Sequence, residues 1–179
     1  MRPNGRFSQG ISLKKDSVLV IGGSGFIGQH IADELSKRGF SVRIFDRQDS
    51  KWRSEDQTYI EGDVLDKVAL ERAMDGVKFV YHLGGIADID AAHVAPLETI
   101  EVNVMGLANT LEVARSSPIS RFLYASTMYV YSPFGSFYRA SKQAAETIIE
   151  AYHEAFDIDY TLLRYGSLYG PRSQSWNGL

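Results

Sequence analysis

The chain has 179 residues, 44% of them apolar and 23% charged, with a net charge of −3 and no cysteine. This is one domain's worth of ordinary globular composition. It excludes disulfides and thiolate metal sites and gives no basic surplus for nucleic acid. No apolar run approaches the roughly 20 residues of a membrane span.

Residues 1–16 are polar and lack the apolar core of a signal peptide. They are expected to form an arm ahead of a single domain at 17–179, with the cytosol as the default compartment. S-V-L-V-I-G, Ser17 to Gly22, reads as a buried strand. From Phe26 to Arg38, Ile27, Ile31 and Leu35 recur every four residues, which predicts a helix stopped by Gly39. Ser41–Asp46 and Thr58–Asp63 are the second and third strands, separated by a polar loop at 48–57. A short helix is expected over Val64–Met74 and a fourth strand over Val77–Leu83. Thr99–Arg115 has helical spacing, with Pro118 beyond its end. Arg121–Ser126 is the fifth strand, Tyr138–Phe156 a long helix, and Asp159–Arg164 the sixth strand.

Hydrophobic strands alternating with helices predict a parallel sheet with helices on both faces. Right-handed crossovers then favour a doubly wound α/β (Rossmann) fold, strand order 3-2-1-4-5-6.

The first strand runs into G-G-S-G-F-I-G, placing Gly22, Gly25 and Gly28 at G-x-x-G-x-x-G. Glycine there permits a tight turn and a close backbone approach to a pyrophosphate, which the N-terminus of the next helix, at Phe26 and Ile27, would face. Asp46 ends the second strand 24 residues after Gly22, placed to accept the ribose hydroxyls of NAD. Arg47 beside it would instead favour NADP; NAD is the preferred reading. Asp63 could meet the adenine.

Together with G-D-V at Gly62–Val64, Y-H-L-G-G at Tyr81–Gly85, N-V-M-G at Asn103–Gly106, Y-R-A-S-K at Tyr138–Lys142 and L-R-Y-G-S-L-Y-G-P-R at Leu163–Arg172, the turn resembles the extended short-chain dehydrogenase/reductases. Among them it is similar to the NAD-dependent epimerase/dehydratases of nucleotide sugars. The resemblance implies that Gly22, Gly25 and Gly28 hold the pyrophosphate, Asp46 the adenosine ribose, and Asp63 with Val64 the adenine. Leu83 and Gly84 would pass beneath the cofactor, with Asn103 close to it. It makes Thr127, Tyr138 and Lys142 the catalytic set.

Tyrosine and lysine four apart share one helix face. An ammonium and an oxidised nicotinamide both favour the phenolate, so Tyr138 can take a proton from a substrate hydroxyl while hydride leaves. Lys142 can also hold the nicotinamide ribose, and Thr127 can orient the substrate oxygen. The remaining tyrosines, including Tyr124, Tyr129, Tyr152 and Tyr160, read as packing residues. So do the histidines, no two of which have metal-ligand spacing.

The pattern is departed from in three places. Only six residues separate Tyr131 from Tyr138, a connection much longer in the resembling enzymes, and Pro133 with Gly135 indicates a tight turn. Ser167 stands where asparagine is usual. The chain ends at Leu179, where those enzymes continue into a C-terminal substrate region. The expectation is therefore an NAD-dependent epimerase, dehydratase or dehydrogenase acting on a nucleotide sugar, with a cofactor-binding module or redox sensor as the alternative. The resemblance also implies a homodimer through the helices at 99–115 and 138–156, with Ile148 and Ile149 available to it.

Overall fold

The computed structural model describes residues 15–173. Residues 1–14, most of the expected arm, and 174–179 lie outside that range. Six strands form one parallel sheet: β1 (Ser17–Ile21), β2 (Ser41–Asp46), β3 (Thr58–Glu61), β4 (Phe79–His82), β5 (Arg121–Thr127) and β6 (Tyr160–Tyr165). Their order, β3-β2-β1-β4-β5-β6, is that of a doubly wound fold. The helices are α1 (Phe26–Lys37), α2 (Lys67–Met74), α3 (Ile89–Val94), α4 (Pro96–Ile100), α5 (Gly106–Ala114) and α6 (Ser136–Phe156).

Period-two alternation sends each strand's side chains into two separate cores. Val18, Val20, Val42 and Ile44 pack with Ala32 and Leu35 of α1. Leu19, Ile21, Phe45, Val80, Phe122 and Tyr124 pack on the other face with residues of α2, α5 and α6. Gly39 terminates α1 at φ +88°, and Phe40 N–H then bonds Leu35 O at 3.1 Å.

Helices cover both faces, but unequally. A right-handed crossover from β1 to β2 puts α1 on one face, while the crossovers towards β4, β5 and β6 put α2, α5 and α6 on the other. The β2–β3 crossover, which would have added a second helix beside α1, is the polar 47–57 segment. A groove of about 670 Å³ is left over β4 and β5, floored by Phe79, Tyr81 and Leu123.

Two local features were not legible in the sequence. The segment before the fifth strand contains the separate helix α3, and Pro96 opens α4 at its first turn. The expected helix at Thr99–Arg115 is interrupted by a π turn at Glu101–Met105, a feature common at functional sites.

Candidate active site

The strand order reverses between β1 and β4, which opens a crevice at the C-terminal ends of the strands. Gly22 turns out of β1 at φ +75°. A Cβ on Gly22 would sit 2.5 Å from Gly84 N and 2.8 Å from Gly84 Cα. A Cβ on Gly28 would collide with Gly22 O and Gly23 Cα, so Gly28 serves the packing of α1 against the turn. Gly25 caps α1 without a side-chain bond, leaving the first N–H groups of the helix uncapped by a side chain.

Gly22 and Gly25 share one cavity of about 190 Å³ with Asp46, Arg47, Asp63, Val64, Leu83 and Gly84. Asp46 Oδ2 accepts from Ser24 N–H at 3.0 Å, tying the end of β2 to the glycine turn. Asp63 Oδ1 accepts from Leu65 N–H at 3.0 Å. The cavity also takes in Glu98 of α4 and Val102 of the π turn, neither of which carries a sequence signal. Like Gly28, three other predicted residues do not line the cavity themselves. Phe26 packs its ring edge on His30, and Ile27 lines the groove on the far side of α1; either could reach a phosphate only through its backbone N–H. Asn103 is 2% exposed, and its amide is committed to protein partners. It accepts from Ile86 N–H at 2.7 Å and donates to Ile86 O at 2.9 Å and Ser141 Oγ at 3.0 Å. It ties the loop after β4 to α6.

The residues expected to do chemistry come together where β5 ends and α6 begins. Thr127 is the last residue of β5, and its hydroxyl accepts from Tyr129 N–H at 3.2 Å, starting a 3-10 turn at Met128–Tyr131. Ser132 to Gly135 then make the tight connection, with Ser132 Oγ accepting from Phe134 N–H and Gly135 at φ +111°. Tyr138, in the first turn of α6, is half-buried with its ring edge against Tyr129. Lys142 is 5% exposed; its ammonium donates to Ala125 O at 2.8 Å and lies 4.6 Å over the Tyr124 ring and 6.0 Å from the Tyr138 ring centre.

Burial pulls the Lys142 ammonium down to about 8, and the Glu146 carboxylate opposes that fall. Burial pushes the Tyr138 phenol above its ordinary range, with the Thr127 hydroxyl acting the other way. The expected lowering of Tyr138 by Lys142 is therefore not achieved by the protein's own groups. Desolvation of the half-buried phenol outweighs the favourable contact with Thr127.

The sequence reading passed over a second polar cluster behind Lys142, formed by Ser126, Tyr131, Glu146 and Arg164. One signal was available: Glu146 follows Tyr138 and Lys142 at the same four-residue interval, and a carboxylate on the buried face of a helix needs a partner. The segment after β6 is anchored on α1, where Arg172 pairs with Asp33 at 2.8 Å and His30 Nε2 lies 2.9 Å from Pro171 O. Arg172 also lies over Trp52, in the loop after β2. Ser167 within that segment is exposed.

Residues 18–178 match the profile of the NAD-dependent epimerase/dehydratase family. UDP-glucuronate 4-epimerase 6 of Arabidopsis thaliana is 33% identical over 184 residues, covering 87% of this chain and 40% of that protein. UDP-glucuronic acid decarboxylase 1 of the same plant is 32% identical over 195 residues, covering 94% and 43%. The structure of a Thermus thermophilus UDP-glucose 4-epimerase in complex with NAD superposes with a TM-score of 0.82 at 31% identity, covering 88% of this chain and 57% of that one. The chain thus spans less than half the length of these curated relatives.

Proposed function

The chain belongs to the NAD-dependent epimerase/dehydratase family, and from that premise we propose that it binds NAD in the crevice above β1 and β4 and uses Thr127, Tyr138 and Lys142 to oxidise a hydroxyl of a nucleotide sugar. The observation that supports this reading is the approach of those three residues to one another: the Tyr138 phenol meets the Thr127 hydroxyl and the Lys142 ammonium lies 6.0 Å from the Tyr138 ring centre, although they come from β5 and from α6.

The residues present fit a dinucleotide. The turn has room for backbone only at Gly22, α1 offers uncapped N–H groups, and a carboxylate stands at the end of β2. Gly22, Gly25 and the N–H groups of Phe26 and Ile27 would hold the pyrophosphate. Asp46 would take the adenosine ribose, with Arg47 beside it and Asp63 and Val64 towards the adenine; Leu83 and Gly84 would line the floor. When bound, the nicotinamide accepts hydride and brings positive charge into the cleft. The Tyr138 phenol would take the hydroxyl proton, a transfer favoured once positive charge stands near it. Thr127 would hold the same oxygen, and the Lys142 ammonium would hold the nicotinamide ribose and favour the phenolate.

The relatives named above support a UDP-sugar as the substrate class. Among the described residues no helix is long and apolar enough to cross a membrane, and a cytoplasmic setting accords with this reading. Calorimetry with NAD and NADP, followed by a spectroscopic screen for cofactor reduction over UDP-glucuronate and UDP-glucose, tests the proposal. Binding with no reaction on any candidate would favour a cofactor-binding module or redox sensor, a reading supported by the short connection between Tyr131 and Tyr138. Absence of binding would sink both.

Selectivity follows from Asp46. Asp46→Ala is expected to weaken NAD binding about tenfold or more, the effect of losing a charge-assisted hydrogen bond. NADP binding should be affected less, because its 2′-phosphate repels the same carboxylate. Calorimetry on both dinucleotides checks this, and an unchanged NAD-to-NADP ratio would reject Asp46 as the selector.

The proposal includes a homodimer, on a revised surface. Ile149 is 1% exposed, turned towards the sheet and so not available as expected, while Ile148 is only partly buried against the same core. Leu97, Ile100 and Met105 point outward from α4 and the π turn, and Phe137 and Phe156 are exposed at the two ends of α6. Light scattering at micromolar concentration should show a dimer that Met105→Glu converts to monomer. A monomeric wild type would reject it.

A further inference from the structure

Glu146 lies one helical turn beyond Lys142 and is 8% exposed. Its Oε1 accepts from Ser126 Oγ at 2.5 Å and from Arg164 Nε at 2.9 Å, and its Oε2 accepts from Arg164 Nη2 at 2.7 Å. Arg164 Nη1 donates to the Tyr131 hydroxyl at 2.5 Å. One carboxylate thus joins α6 to the end of β5, to β6 and, through Arg164, to the 3-10 turn. The neighbours of those contacts matter most. Ser126 sits between Ala125, whose carbonyl receives the Lys142 ammonium, and Thr127. Tyr131 begins the short connection to Tyr138.

We propose that Glu146 is a positioning residue: it locks Ser126 and Arg164 so that Thr127 and Tyr138 face one point, and its charge keeps the buried Lys142 protonated. This rests on the roles proposed above for Thr127, Tyr138 and Lys142.

The charge argument follows from what surrounds the ammonium. On α6 it has Tyr138 and Glu146. On β5 it has the Tyr124 ring, whose hydroxyl burial keeps protonated. On β4 stands His82, stacked on Tyr124, where burial pulls it down to about 3 and so keeps it neutral. On β6, Arg164 lies beyond Glu146. Among these groups Glu146 alone is an anion, and its carboxyl is held below the ordinary range; burial raises it, but the bonds from Arg164 and Ser126 outweigh that. The worth of the Glu146–Arg164 pair as a plain stabilising contact is small, since the Arg164 side chain is 35% exposed and ion pairs that reach solvent contribute little.

The test uses the full chain with isotopically labelled lysine, following side-chain carbon resonances through a pH titration; the Lys142 signal is assigned by its loss in Lys142→Met. The wild-type midpoint is expected near 8. Glu146→Gln, which keeps the shape and a hydrogen bond to Ser126, should move it down by about one pH unit or more. Glu146→Asp should restore most of the shift. Arg164→Gln should move the midpoint the other way, because Glu146 then has no other cation beside it; this variant decides the matter if Glu146→Gln does not fold. The same proteins are titrated with NAD across the same pH range. The NAD affinity of Glu146→Gln should match the wild type at low pH and fall away at a lower pH than the wild type does.

An unmoved midpoint in both Glu146→Gln and Arg164→Gln would overturn the charge role. An equal loss of NAD affinity at every pH would reduce Glu146 to a structural link. A wild type that binds no NAD would overturn the proposed function and the positioning role with it, a result distinct from NAD binding with an unmoved midpoint, which removes the charge role alone.

Discussion

Tyr138→Phe is expected to lower turnover by roughly 10²- to 10⁴-fold, the range for loss of a general base, while leaving NAD affinity within a few-fold of the wild type. The phenol oxygen is the group that changes. The ring keeps its edge contact with Tyr129 and its place in the first turn of α6. Ala125 O, which holds the Lys142 ammonium, is untouched. The pH dependence has a definite sign. Lys142 loses its proton as pH rises through about 8, so the support proposed for it to the phenolate and to the ribose weakens above that value. Activity governed by Lys142 should therefore decline on the alkaline side, and Lys142→Met should remove that limb together with much of the rate. Steady-state rates with NAD and a UDP-sugar, alongside calorimetry, separate the two effects. A Phe variant that keeps its rate would show that another group takes the proton.

The second large effect is expected at Gly22. An alanine there must hold φ +75°, which costs about 1–2 kcal/mol. Its Cβ also meets Gly84 N, Gly84 Cα and Leu83 C at 2.5–2.8 Å, all of them backbone atoms that no rotamer change can move aside. Overpacking of this kind costs about 1–3 kcal/mol more. Together these predict a fall in melting temperature on the order of 10 °C and loss of NAD binding, because β1 and β4 must part where the crevice opens. Gly39→Ala is the matched control. It sits at φ +88° with nothing within 4 Å of its Cβ, so it carries the dihedral cost alone. Thermal unfolding of the two variants checks the argument. Equal losses would mean that the close approach of Gly22 to Gly84 contributes nothing.

Much of the architecture was legible because its signals are local. The glycine after a β-branched run, Gly39 at a helix end and the uninterrupted apolar strands each act over a few residues. The helix boundaries moved by a few residues; α6 begins at Ser136, two residues before the expected start. The π turn and α3 were missed because neither has its own periodicity. The π turn coincides with Asn103, whose amide links Ile86, 17 residues away, to Ser141, 38 residues away, a demand set by the packed loop and helix. The availability of Ile149 could not be judged from spacing, since residues on both sides of α6 are apolar and only contact with the sheet decides which side is inside.

By itself the sequence determined the order of strands and helices, the glycine turn, and the Tyr138–Lys142 pair on one helix face, because chain geometry alone dictates those relations. Tertiary structure decided which residues share the cleft and what charges they carry. It brought Ser126 and Arg164 to Glu146 from strands 20 and 18 residues away in the chain. It committed Asn103 inward, and it lowered Lys142 while raising Tyr138 through burial. Desolvation depends on everything packed around a group, and no local run of residues contains that information.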